Sequence, residues 1–389
     1  MTTLAIESAS PPPTLRRQQG PGLHRVTLQR EHVCEHHLTF IPLANETPTA
    51  LAHRINVLLH DLDALPIRIE AFGSLRAHPA FLAALPPASP AWPAPLTWLE
   101  GHACNTAEIS GIHVFAVAGT SVEPIRFDNQ PLGAVFSDGY LNHALLGDVS
   151  PTNTSRPPAT QAAQVFERLQ ASLHSAGFEA THIARTWLFL EDILAWYGPL
   201  NLVRHDFFTA HGIFQHLVPA STGIGVNNPD GAAMIAGAWA AHPLHPQARI
   251  AEVLSPMQCP APEYGSSFSR AVEMVTPDLR RILVSGTASI EPKGASVCAN
   301  DIDGQIDLTL QVVRAILVSR DLDFSHVTRA TAYLRHPTDA PLLRQWCARV
   351  GLDHAPLVTT QAVVCRDELL FEIELDAHTP LNPSLPTLP

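Results

Sequence analysis

The strongest constraint on the fold is that the chain repeats itself. The segment "QAAQVFERLQASLHSAGFEATHIARTWLFL" (Gln161 to Leu190) lies over "QIDLTLQVVRAILVSRDLDFSHVTRATAYL" (Gln305 to Leu334) without a gap. Gln, Ala, Leu, Ser, His, Arg and Leu coincide, and most other pairs are conservative, such as Ile183 with Val327 and Phe189 with Tyr333. Upstream, "AVAGTSVEP" (Ala116 to Pro124) matches "VSGTASIEP" (Val284 to Pro292). Downstream, "LVPASTGIG…AAMIAGAWA" takes the place of "LVTTQAVVC…LLFEIELDA". One pattern carried twice in the same order predicts two copies of one supersecondary unit.

Each copy reads as strand, Gly turn, long amphipathic helix, strand, helix, strand, strand. In the helix, Val165, Leu169 and Leu173, and likewise Leu310, Val313 and Leu317, recur near helical spacing. "RTWLFL" and "RATAYL" are β-type runs. The fold class is α/β (α+β): two tandem units, sheets backed by helices, plus an N-terminal extension. Residues 1–22 are expected to be a disordered lead and 23–97 an N-terminal segment, with the Pro-rich stretch Leu85 to Trp98 as separator. Residues 98–245 form the first, degenerate unit, 258–378 the second, and 379–389 a loose tail.

The second copy ends in "AVVCRDELLFEIELDA" (Ala362 to Ala377). From Leu369, alternation puts Leu369, Phe371, Ile373 and Leu375 on one face, and Leu370, Glu372 and Glu374 on the other. Taken alone, such a strand equally has a plain solvated acidic face. The repeat adds that Ile235 stands where Glu372 does, so the acid belongs to only one copy.

Residues 264 to 377, with "SRAVEM", "RRILVSGTASIEPKG", "HVTRATAYL" and "CRDELLFEIEL", resemble the Rid/YjgF superfamily of small imine deaminases. That resemblance implies a chorismate-mutase-like fold with sites in clefts between units, three of which normally pack around an axis. The whole arrangement is more specific. "RTWLFLEDILAWYGPLNLVRHDFF", "PASTGIG", "EYGSSFSRAVE" and "CRDELLFEIE", over roughly residues 98 to 377, are similar to the chorismatase family.

Chorismatases cleave the enolpyruvyl ether of chorismate and release pyruvate, so the resemblance implies a hydroxybenzoate or dihydroxycyclohexadiene carboxylate as second product. Hydroxybenzoates of this kind serve pigment and ubiquinone synthesis in some bacteria. The family's catalytic glutamate falls on Glu372. Breaking the ether needs a proton on the methylene carbon, hence a carboxyl whose pKa burial has raised. A cysteine at the place of Cys365 marks members that make 3-hydroxybenzoate, by attack of the neighbouring ring hydroxyl and an arene-oxide-like intermediate. A buried thiol filling the core is the alternative for that residue. Ala288 falls by the small-residue position that shapes the pocket. Two substrate carboxylates call for arginine forks. Tyr197 and Arg204, two helical turns apart, and Arg270 are the candidates, with Tyr264 and Ser267 as further lining. Arg185 and Arg329 occupy equivalent positions in the two copies, which argues for a shared structural role, and Glu374 reads as a supporting carboxylate.

Two competing functions stay open. A Rid-type imine deaminase is disfavoured because "APLVTTQAVV", the strand before the CRDELL turn, lacks the arginine those enzymes use for the substrate carboxylate. The other is a non-catalytic, metabolite-binding tandem protein. No cofactor is implied. "HVCEHH" sets His32, Cys34 and His36 on one face of a strand, but with no fourth ligand nearby no metal is assigned. A net charge of −12 argues against nucleic-acid or anionic-membrane partners. The six cysteines are scattered without CxxC, and no signal peptide or membrane-spanning run is evident, so a reducing cytoplasm is expected. Monomer and homo-oligomer are undecided.

Overall fold

The computed structural model describes residues 12–381, apart from 88, 90, 91, 105, 106 and 129. It contains three six-stranded sheets, not two. In the first unit the order is β1 (Thr14–Gly20), β2 (Leu23–Gln29), β3 (Cys34–Phe40), α1 (Pro48–Asp61), β4 (Leu65–Gly73), α2 (His78–Ala84), β5 (Leu96–Glu100) and β6 (Ile109–Ala118). The second runs β7 (Val122–Phe127), β8 (Gln130–Ser137), β9 (Leu141–Val149), α3 (Pro158–Ser175), β10 (Ile183–Leu190), α4 (Ile193–Ala210), β11 (Ala220–Gly225) and β12 (Met234–Pro243). The third runs β13 (Arg249–Val253), β14 (Ala271–Val275), β15 (Leu279–Ala288), α5 (Ile302–Val318), β16 (Val327–Leu334), α6 (Ala340–Val350), β17 (Leu357–Gln361) and β18 (Phe371–Pro380).

All three sheets share one order. Three antiparallel strands lead in, the last strand of the unit inserts beside the third, and the fourth and fifth pair in parallel at the far edge. The expected pair of tandem α/β units is therefore present, and the N-terminal extension is a third unit of the same topology.

Several boundaries move in consequence. Residues 14–22 are strand and turn rather than a disordered lead, while residues 1–11 lie outside the described residues. The Pro-rich stretch is internal to the first unit, linking α2 to β5, and residues 98–118 complete that sheet. The last strand continues through Pro380, so residues 379 and 380 are strand rather than loose tail, and residues 382–389 lie outside the described residues. The upstream match is also misplaced: Ala116 to Ala118 ends the inserted strand of the first unit, whereas Val284 to Ala288 ends the third strand of its own.

Each sheet packs its helices on one face, giving three cores, such as Ile306, Leu310, Val313 and Leu317 of α5 against Ile373 and Leu375. The opposite faces converge on a fourth, shared core containing Phe72, Phe115, Trp187, Trp239, Val272 and Tyr333 from all three units. A strand in such an arrangement is buried on both sides. That is why β18, which alternates like a half-solvated strand, has Glu372, Glu374 and Asp376 buried along with its apolar residues.

A bulge at one place in each unit sets a further equivalence. Just beyond it Arg68 lies opposite Phe115, Arg185 opposite Trp239, and Arg329 opposite Asp376. The three guanidiniums meet around the Trp187 ring at 3.6, 5.2 and 5.5 Å from its centroid. Arg185 and Arg329 both donate to the Glu374 carboxylate, and Arg68 and Arg329 to Glu70. Buried like charges are tolerated only with such paired carboxylates. No described helix is long and apolar enough to cross a membrane.

Candidate active site in the cleft between the second and third units

Glu372 sits in β18, directly opposite Ala288 of β15 on one side and Tyr333 of β16 on the other. Its residue exposure is 5%. Burial, and then the negative Glu374 two residues along the same face, push its carboxyl up to about 8, against a smaller opposing pull from Arg185. Glu374 takes the opposite state. Burial alone would raise it, but Arg329 and Arg185 overcome that and hold it well below the usual carboxylate range. Neighbouring carboxyls of one strand are thus split into a neutral acid and a fixed anion, the arrangement acid catalysis needs.

The second unit closes this site. Thr222 of β11 donates its hydroxyl to Glu374, and its oxygen accepts from Arg185 at 2.7 Å and from the Gly286 backbone N–H at 3.1 Å. Gly286 lies so close to the acid that a Cβ there would stand 2.0 Å from Glu372 Oε1. Tyr197 of α4 packs over Gly223 and hydrogen-bonds the Cys365 thiol. Burial, followed by the nearby Glu372, pushes that thiol up to about 12. Cys365 is accordingly a protonated thiol beside the acid rather than a thiolate nucleophile.

The two arginines meet at one ring. Arg204 of α4 and Arg270, just ahead of β14, lie 5.8 and 5.5 Å from the centroid of Phe268, one from each unit. Both are almost fully buried. Arg204 donates to Asn201 at 2.7 Å and its Nε has no partner among the described residues, while Arg270 Nε donates to the Cys259 carbonyl at 3.0 Å. The helix bearing Tyr197 and Arg204 is kinked at Trp196, and Pro199 sits in the turn that restarts it, where a missing N–H costs little.

The candidate residues thus fall into groups. Glu372, Cys365, Tyr197 and Ala288 cluster about the acid, and Arg204 with Arg270 form a cationic pair on Phe268. Ser267 is buried in the segment leading to Phe268, and Tyr264 lies in the short helical turn before it, with its side chain outside the described residues. The supposed metal trio does not share a strand. His32 precedes β3 and sits beside Glu31, whereas Cys34 and His36 contact each other at 3.4 Å. No cluster of three or more ligating side chains occurs among the described residues.

Sequence reasoning missed Thr222, Gly286, Phe268 and Tyr333. The Tyr333 hydroxyl is buried without a partner among the described residues, beside Glu372 in the ladder. The signal was available: the copies differ by Phe189 against Tyr333, a polar change of the same kind as Ile235 against Glu372.

No family model matches the chain. The chorismatase of Streptomyces rapamycinicus is 26% identical over 237 residues, covering 56% of this chain and 69% of that protein. A solved chorismatase superposes with TM-score 0.64 at 17% identity, over 90% of this chain and 100% of the other. A YjgF/YER057c/UK114-family protein from Mycobacterium tuberculosis covers 34% of this chain and 100% of its own length, with TM-score 0.27 and 22% identity. The chain is thus a homologue of a chorismatase by sequence, and over 90% of its length it has the fold of a solved chorismatase.

Proposed function

We propose that this protein cleaves chorismate to pyruvate and a hydroxybenzoate, with Glu372 as the general acid. The observation that carries this is the buried Glu372 carboxyl, pushed up to about 8 by burial and Glu374 where the second and third units meet, the same two units whose Arg204 and Arg270 flank Phe268. Glu372 gives its proton to the methylene carbon of the enolpyruvyl ether, turning a poor leaving group into one that departs as pyruvate. Arg204 and Arg270 fix the two substrate carboxylates, and the anionic Glu374 keeps the proton on Glu372 between turnovers.

The product favoured is 3-hydroxybenzoate. Its route is internal: the adjacent ring hydroxyl attacks the ether-bearing carbon as the enolpyruvyl group leaves, and the arene oxide opens and aromatises. No net water is consumed. Cys365, a neutral thiol hydrogen-bonded by Tyr197, acts there by occupying space beside the acid, excluding the water that would give a diol. The homology to a named chorismatase supports the reaction class, and the cleft geometry supports the residue roles.

The test is incubation of the purified chain with chorismate, with pyruvate and aromatic products quantified separately. Stoichiometric pyruvate with 3-hydroxybenzoate in excess over 4-hydroxybenzoate is expected. Absence of pyruvate overturns the reaction, and a diol or 4-hydroxybenzoate as main product overturns the steering.

A further inference from the structure

The shared topology creates a corresponding cleft between the first and second units, and its lining has the opposite polarity. The correspondence follows from register. Leu146 of β9 lies opposite Ala238 as Val284 of β15 lies opposite Leu375, and both ladders shift just beyond. Asp148 then occupies the place of Gly286. Leu132, one residue before the partner of Leu146, occupies that of Arg270. Even the inter-unit hydrogen bond is kept: Thr97 of β5 accepts the Asp148 N–H at 3.0 Å, as Thr222 accepts that of Gly286 at 3.1 Å.

A cavity of about 350 Å³ opens there. Its walls include Trp92 and Trp98, His78, Asp148 and Asp230. Where the third unit has Arg270, this cleft has Leu132, and its walls carry two indoles and two carboxylates. The Asp148 carboxylate makes no hydrogen bond or ion pair among the described residues. Trp98 is 1% exposed, and its indole Nε1–H is buried without an acceptor among the described residues. Desolvation and the neighbouring Asp230 push the Asp148 carboxyl up to about 8, as expected of an acid lacking a counter-cation.

We propose that this cleft is a second binding site, for a small organic cation: a primary ammonium on an aromatic or apolar body. Indole faces attract cations through the ring quadrupole while burying an apolar body, and the two carboxylates supply the charge. Asp148 holds the ammonium, with Asp230 on the same wall. An anion such as the substrate proposed for the other cleft is excluded by the same two carboxylates. Neither Asp148 nor Asp230 belongs to the catalytic cleft, so the site stands independently of the reaction proposed there.

The experiment is titration of the full chain with phenethylammonium chloride, 2-phenylethanol and sodium phenylacetate at about pH 8.5, where the amine stays protonated and Asp148 is ionised. Calorimetry and indole fluorescence report binding. The expected result is saturable binding of the amine at least tenfold tighter than the alcohol, with phenylacetate weakest. Asp148→Asn keeps the left-handed backbone that Asp148 adopts at φ 53°. It should weaken the amine at least tenfold and erase its advantage over the alcohol. Should that variant fail to fold, the exposed Asp230→Asn must weaken the amine at least threefold. Equal binding of amine and alcohol, no saturation, or affinity unchanged in the folded variants overturns the proposal.

Discussion

The hydroxyl of Thr222, in the second unit, accepts the backbone N–H of Gly286, in the third, at 3.1 Å, and so fixes the strand edge against which Glu372 rests. Gly286 is needed for closeness. A methyl at this position would meet Glu372 Oε1 at 2.0 Å and Thr222 Cγ2 at 3.2 Å. The carboxyl can swing away, so Gly286→Ala is expected to fold with little loss of stability. Misplacing the acid by about an ångström should cost on the order of 100-fold in kcat. Single-turnover pyruvate release and a thermal melt, run together, check both halves.

Glu372→Gln removes the proton donor while keeping the shape. A fall of about 10²–10⁴ in kcat is expected, the usual range for a positioned general acid. Stability gives a second readout with a definite sign. The folded state keeps this proton up to about pH 8, whereas the ordinary glutamate value is 4.5. Between those values the native state binds more protons than the unfolded chain, so this group's contribution to stability falls as pH rises. The variant has no such proton to lose. Its melting temperature should therefore gain on the wild type from pH 5 to pH 9, and wild-type turnover should decline above about pH 8. A difference in melting temperature that does not vary with pH would show that Glu372 is not a buried neutral acid.

The legibility of these features in the sequence was uneven, for physical reasons. The helix–strand blocks of the second and third units were readable because Gln161–Leu190 and Gln305–Leu334 keep equal spacing, so every buried position falls in register. The loss of the acid at Ile235 came from the same comparison. The first unit was not readable. Its helix is shorter, a Pro-rich insert separates α2 from β5, and its kinship shows mainly in Arg68 and Thr97, whose roles only register reveals. The match of "AVAGTSVEP" to "VSGTASIEP" failed because a short strand ending in a Gly turn recurs in many contexts. Two-sided burial of β18 is a tertiary fact, set by three sheets closing on one core, and alternation within a single strand cannot report it.

Glu374 is the hub of the axial network, bonded by Arg185, Arg329 and Thr222. Glu374→Gln leaves those guanidiniums short of a counter-charge in a buried site. A loss of about 3–5 kcal/mol is expected, as for one partner of a buried ion pair. Removing the nearby negative charge also lowers the Glu372 pKa, so the alkaline limb of turnover should move to lower pH. Denaturant titration and a pH–rate profile separate the two effects, and an unmoved alkaline limb would leave Glu374 with a structural role alone.

Arg204 and Arg270 converge on Phe268 from different units, so each should hold part of a doubly charged substrate. A hydrogen bond to a charged group contributes about 1.5–3 kcal/mol, so Arg204→Ala and Arg270→Ala should each lower kcat/KM by about 10- to 150-fold. Arg204→Lys restores the charge but not the planar fork, and should recover only part of that. If neither alanine variant changes kcat/KM, the carboxylates are bound elsewhere.

Cys365 differs from the other cysteines in what surrounds it: Tyr197, Glu372 and the walls of two cores. Because its thiol is pushed up to about 12, iodoacetamide at neutral pH should label the exposed Cys298 readily and Cys365 hardly at all. A nucleophilic role would require the reverse. A space-filling role predicts instead that Cys365→Ala still releases pyruvate at a rate within about tenfold of wild type, since it leaves the proton donor and the arginine pair in place. The gap left by the sulfur admits a water molecule beside the departing ether, so hydrolysis competes with internal ring-hydroxyl attack. The diol should then rise at the expense of 3-hydroxybenzoate. Cys365→Ser, similar in size, should shift products less than alanine does, and product analysis by chromatography of all three proteins decides the matter. Equal product ratios across the series would remove Cys365 from the reaction and leave it as packing between the second and third units.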